Sequence, residues 1–111
     1  MASISRIYAI DGPKDISSRD FVLLYGSKLE QILEEPNAYI LLTDLPGVGA
    51  FTARYLLSHQ YRNATVYHTG STPRQNNAKL QTKGEFRTQA EARAQMILDA
   101  NEVYDITMIN E

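Results

Sequence analysis

The segment YILLTDLPGVGAFTARYLL, residues 39 to 57, joins an apolar run to a second apolar run through a Pro-Gly-x-Gly break. Proline and glycine interrupt the first run, and the residues after the break return at helical spacing, so the segment reads as strand, turn and helix. In a parallel α/β sheet such a turn sets backbone N–H groups and the positive end of a helix at the carboxyl edge of the strands, where anionic ligands bind. The same glycines also serve simple tight packing, so the turn by itself is a weak sign of a nucleotide-type site.

The rest of the chain repeats the alternation. Arg6 to Ile10 is a short apolar run ending at the turn cluster Asp11-Gly12-Pro13, and it reads as a first buried strand. Ser17 with Asp20 resembles a capping box, and Phe21, Leu24, Leu29, Ile32 and Leu33 then mark one helical face until Pro36. Ala38 to Thr43 is the second strand, and the helix after Gly47 and Gly49 is expected to carry Ala53, Leu56 and Leu57 inward. The third strand, Ala64 to His68, leads into the polar stretch TGSTPRQNNAKLQTKGEFR, which has no period and reads as one long loop. Loops beyond about 12 to 15 residues in a compact domain are commonly functional. Thr88 with Glu91 marks a third helix with a buried stripe of Ala90, Ala94, Ile97 and Leu98, and Asp105 to Ile109 is the last strand.

This order, in 111 residues, predicts one α/β domain over 1–111. The expected architecture is a Rossmann-like three-layer parallel sheet of about four strands in the order 3-2-1-4, truncated relative to a full doubly wound sheet. Two helices would cover one face and one the other. The thinly covered face calls either for a second copy of the chain, making a homodimer or larger homo-oligomer, or for the long loop and the terminal residues to fold over it. A net charge of −2 supplies no overall basic field, so nucleic acid is an improbable partner. With no cysteine and two histidines, neither a structural metal nor a further cofactor is expected. No apolar run approaches the roughly 20 residues that span a bilayer, and MASISR lacks a signal-peptide core, so no membrane partner and a cytoplasmic location are expected.

Three clusters would converge at the carboxyl edge: Asp11 to Lys14, Thr43 to Gly49, and Thr69 to Arg74. Lys14 and Arg74 suit a phosphate, Arg74 bidentately, while Gly12 and Gly47 allow close backbone approach. The loop adds Lys79, Lys83 and Arg87 against Glu85, charges that read mostly as solvated. Asp11 and Asp44 each follow an apolar strand. Such carboxylates most often cap turns or bind ribose hydroxyls, and in an enzyme they would act as nucleophile and acid on an N-glycosidic bond. Tyr8, Tyr39, Tyr55, Tyr61 and Tyr67 read as aromatic core, with Tyr67 also placed for base stacking, and His68 reads as structural.

Together RIYAIDGPKDI, TDLPGVGAFTARYL, NATVYHTGSTPRQNN and EARAQM, spread over nearly the whole chain, resemble the SLOG superfamily. This is the Rossmann-like group that includes the DprA, Lonely-guy and YpsA-like proteins, and the likeness is to its small phage and bacterial members. The resemblance implies a nucleotide or nucleotide-derived, ADP-ribose-like ligand bound at positions matching Gly12, Lys14, Asp44, Gly47, Arg74 and Arg93. Where relatives carry an acidic residue shortly after the second-turn glycine, this chain has Gly49, which is counted with the ligand-binding turn. The phosphoribohydrolase pattern Pro-Gly-Gly-x-Gly-Thr-x-x-Glu, laid on Pro46, would put Phe51 at the threonine and Arg54 at the glutamate. The expectation is therefore a binder or sensor without catalysis, with Gly12, Lys14, Gly47 and Arg74 around the phosphates and Asp44 near the ribose. The alternatives are an N-glycoside hydrolase or deoxyribosyltransferase-like enzyme using Asp11 or Asp44, and a purely structural interaction protein.

Overall fold

Hydroxyl caps and short apolar runs set the elements. The computed structural model describes residues 6–76 and 78–108. In chain order the elements are β1 (Ile7–Ile10), α1 (Ser18–Glu34), β2 (Tyr39–Thr43), α2 (Val48–Ser58), β3 (Ala64–Thr69), β4 (Gln81–Phe86), α3 (Gln89–Asp99) and β5 (Glu102–Tyr104), followed by a 3-10 turn at Ile106–Met108. The Ser17 hydroxyl accepts from Asp20 N–H at 3.1 Å and the Thr88 hydroxyl from Glu91 N–H at 3.1 Å, capping α1 and α3. Each such cap is worth about 1 kcal/mol. Helix α1 ends where Glu35, preceding Pro36, turns to extended backbone, as a residue before proline must.

The sheet is wholly parallel and has five strands in the order β4-β3-β2-β1-β5. This corrects the expected four strands in the order 3-2-1-4 in two ways. First, the long loop contains a strand: Gln81–Phe86 pairs with β3 at the sheet edge, and five of its six residues are exposed. An edge strand wetted on both faces carries no period-2 apolar signal. Second, the strand beside β1 is Glu102–Tyr104 and not Asp105 to Ile109. Asp105 ends it, because its carboxylate accepts from the N–H and hydroxyl of Thr107 at 2.9 and 2.7 Å, an Asx turn that leads into the 3-10 turn. Ile109 lies outside the described residues, as do positions 1–5 of the MASISR segment.

Helices α1 and α2 pack on one face, over a core that includes Tyr8, Ile10, Phe21, Tyr25, Leu29, Ile32, Ile40, Leu42, Leu56 and Val66. Helix α3 lies on the other face, over Ala9, Leu41 and Tyr67, with Ile7, Tyr39, Phe86 and Val103 partly buried around it. Three predicted helix faces shift. Tyr25 is buried and Leu24 is 45 % exposed, while Leu57 on α2 turns outward. On α3 the inward residues are Ala92 and Met96, whereas Ala90 and Ala94 are exposed and Leu98 is 76 % exposed. Among the described residues no helix is long and apolar enough to cross a membrane.

Candidate functional site

Because all five strands run parallel, their carboxyl ends gather Asp11, Thr43-Asp44, the loop after Thr69 and Asp105 at one edge. The chain steps from β1 outward through β2, β3 and β4, then returns by α3 to β5 on the other side of β1. The carboxyl ends of β1 and β5 thus flank the point where the strand order reverses, the position at which open parallel sheets commonly hold ligands.

One tyrosine ties these two ends together beyond their last sheet bond, Asp11 N–H to Tyr104 O. Tyr25 Oη donates to Asp11 O at 2.8 Å and accepts from Ile106 N–H at 3.3 Å, so a residue of α1 ties the end of β1 to the turn after β5. Burial pushes its hydroxyl up to about 12. Gly12 is glycine because a Cβ there would lie 2.1 Å from Tyr25 Oη and 2.8 Å from Val48 Cγ2. Gly47, at φ +78°, meets the first turn directly: a Cβ would lie 2.3 Å from Pro13 O and 2.5 Å from Lys14 O. Gly49 likewise backs onto Thr43 O at 2.5 Å. Gly12 and Gly47 therefore lock the first and second turns together, and Gly49 packs α2 onto the end of β2. Val48, Ala50 and Phe51 donate their N–H groups to Pro13 O, Leu45 O and Gly47 O, so most of the α2 N-terminus is engaged inside the chain.

The cations are held by carboxylates. Asp44, buried, accepts Arg74 N–H at 2.6 Å on Oδ2 and Arg74 Nη1 at 3.2 Å on Oδ1. The same Nη1 donates to Gln89 Oε1 at 3.1 Å, and the buried Gln89 amide nitrogen has no hydrogen-bond partner among the described residues. The Arg74 side chain stays 52 % exposed. Arg93, from α3, binds Asp11 Oδ2 through Nε and Asp105 Oδ2 through Nη2, the latter at 3.3 Å, and its side chain is 44 % exposed. The hydrogen bond to Asp11, followed by the negative charge there, raises the Arg93 pKa above its ordinary value. Lys14 is exposed and makes no hydrogen bond or ion pair among the described residues.

The edge therefore brings together Asp11 with Arg93 and Asp44 with Arg74, and sets Gly12, Lys14, Gly47 and Gly49 in the two turns between them. Asp11 and Asp44 each hold a different arginine. The loop cations do not converge on the edge: Lys83 pairs with Asp99 at 2.9 Å and Arg87 with Glu91 at 3.2 Å. Tyr67 is buried, donates to Asp99 Oδ2 at 2.5 Å and stacks on Phe86, so its ring is core. His68 is buried against Gly84, where a Cβ would fall 2.2 Å from its ring. Sequence reasoning missed Tyr25, Gln89 and Asp105 as parts of the edge. Only Asp105 carried a local signal, the Asp-x-Thr turn.

Among the described residues no group of three or more His, Asp or Glu side chains is placed to hold a metal ion. Compared with protein-family models, curated proteins and solved structures, the chain matches none.

Proposed function

We propose that this chain binds a nucleotide or nucleotide-derived ligand at the carboxyl edge and does not turn it over. The observation that carries the reading is the pair of half-exposed guanidiniums, Arg74 and Arg93, each held from beneath by buried carboxylates. An arginine fixed in this way presents its outer N–H groups with little rotamer freedom left to lose on binding. Lys14 adds an exposed cation on the neighbouring turn, without an ion-pair partner among the described residues.

The roles differ from residue to residue. Asp44 is wholly withdrawn from solvent and acts on the ligand through Arg74. Asp11 keeps slight exposure and is the carboxylate a ribose hydroxyl reaches. Gly12 and Gly47 pack the two turns against each other, and so fix where Lys14 stands relative to the second turn. Lys14, Arg74 and Arg93 stand against Asp11, Asp44 and Asp105, three cations to three anions. That balance favours a ligand with one or two phosphates and sugar hydroxyls over a triphosphate. It also accords with the SLOG resemblance.

A thermal-shift screen against nucleoside mono-, di- and triphosphates, ADP-ribose and cyclic nucleotides tests the reading. A ligand at 100 times its dissociation constant stabilises by about 2.7 kcal/mol, on the order of 10 °C for a domain of this size. The expected result is a shift that Arg74→Ala abolishes while the variant keeps the wild-type circular dichroism spectrum. No shift across the panel contradicts it.

A further inference from the structure

Away from the carboxyl edge, α1 turns one stripe to solvent: Arg19, Val22, Leu23, Gly26, Ser27 and Glu30, spaced as neighbours on one helix face. Val22 and Leu23 are 65 % and 68 % exposed. Gly26 is unlike the turn glycines. A Cβ there would meet nothing closer than Val22 Cγ1 at 3.9 Å, so nothing within the chain explains a poor helix former in the middle of a 17-residue helix. The stripe has two unlike halves. Beside Val22 an apolar groove of about 310 Å³ is lined by Phe21, Phe51, Tyr55 and Arg54. Beside Ser27 a shallow hollow of about 500 Å³ is bordered by Glu30, Gln31 and Glu34, with Lys28 and Tyr104 on its inner side, two carboxylates to one cation. Among the described residues neither Arg19 nor Glu30 has an ion-pair partner.

We propose that this stripe is the interface with a second copy of the chain, α1 against α1, antiparallel about a two-fold axis between Leu23 and Gly26. Leu23 then falls opposite the partner's Gly26, Val22 opposite the partner's Ser27, and Arg19 opposite the partner's Glu30. Bulk meets absence of bulk and cation meets anion, twice over, and an isologous contact of this kind closes at two subunits. Gly26 is explained as the place where the two helices approach. Arg54 lies at the basic end of one stripe, where the partner's Glu34 arrives. The interface leaves the carboxyl edge open and does not depend on what binds there.

Sedimentation equilibrium on the full chain tests the proposal. The expected mass is twice 12.5 kDa. Leu23→Asp and Gly26→Leu are expected to give folded monomers by circular dichroism. Leu98→Asp, equally exposed but on the opposite helix layer, is expected to leave the dimer intact. Arg19→Glu or Glu30→Arg alone should weaken the dimer about tenfold, and the two together should restore it. A monomeric wild type overturns the proposal. So does a dimer that survives Leu23→Asp, one that Leu98→Asp dissociates, or a double charge reversal that fails to rescue.

Discussion

The Tyr25 hydroxyl donates to Asp11 O and accepts from Ile106 N–H, linking two backbone groups just beyond the last sheet bond between β1 and β5. Removing it leaves a buried carbonyl and a backbone N–H short of a partner, so Tyr25→Phe is expected to cost about 1 to 3 kcal/mol in urea denaturation. An unchanged midpoint would show that both groups find other partners. A second residue-scale expectation concerns Asp99. The Tyr67 hydroxyl, then Lys83, hold its carboxyl at about 2, below the ordinary 3.8. A carboxylate with a depressed folded pKa stabilises the fold above its unfolded value, and that contribution is lost as pH falls from about 4 toward 2. The stability gap between wild type and Asp99→Asn should therefore be widest near neutral pH and narrow below about 4. A gap constant with pH would contradict the assignment. Neither residue's role was legible beforehand, since from sequence Tyr25 is a first-helix aromatic suited to core or interface packing and Asp99 pairs with residues 16 and 32 positions away.

At the scale of elements, what was legible was local chemistry. Ser17 and Thr88 announce helix starts because a hydroxyl three residues before a backbone N–H is a short-range geometry. Thr88→Ala is expected to lower stability by about 1 kcal/mol, with a loss of helical ellipticity confined to α3 length, and a neutral outcome would mean that packing alone starts this helix. The turn at Gly47 was legible as a turn but not in its purpose, because what it touches, Pro13 O and Lys14 O, comes from the other end of the first helix. Gly47→Ala is expected to destabilise by more than the roughly 1 kcal/mol of a simple positive-φ penalty, since the added carbon must displace backbone. The face of α3 was not legible. Its inward residues are the small Ala92 and the flexible Met96, while Leu98 points outward, so apolarity alone selects the wrong stripe.

For the whole molecule, β-α alternation was enough to predict a parallel sheet with β3, β2 and β1 in that order, and the pairing registers of those strands follow the apolar runs. The edge strand β4 escaped because its stabilisation comes from one ladder of backbone hydrogen bonds and from Phe86, not from an apolar face. The candidate site was legible as a location, the carboxyl edge, and as a set of residue types. The pairing of Arg74 with Asp44 and of Arg93 with Asp11 and Asp105 was not, because it joins residues 12 to 82 positions apart. In that arrangement the carboxylates fix the two guanidiniums at the carboxyl edge, where we propose an anionic ligand binds. The central claim is that an anionic ligand meets them there.

The most direct test is a titration of the ¹⁵N-labelled chain with ADP-ribose and nucleoside diphosphates, followed by amide NMR, in which glycine resonances report separately on each region. The account expects the amides of Gly12, Gly47, Gly49 and Gly70 to shift saturably while Gly26, on the outer face of α1, stays in place. Shifts at Gly26 with none at the carboxyl edge, or none anywhere, would contradict it.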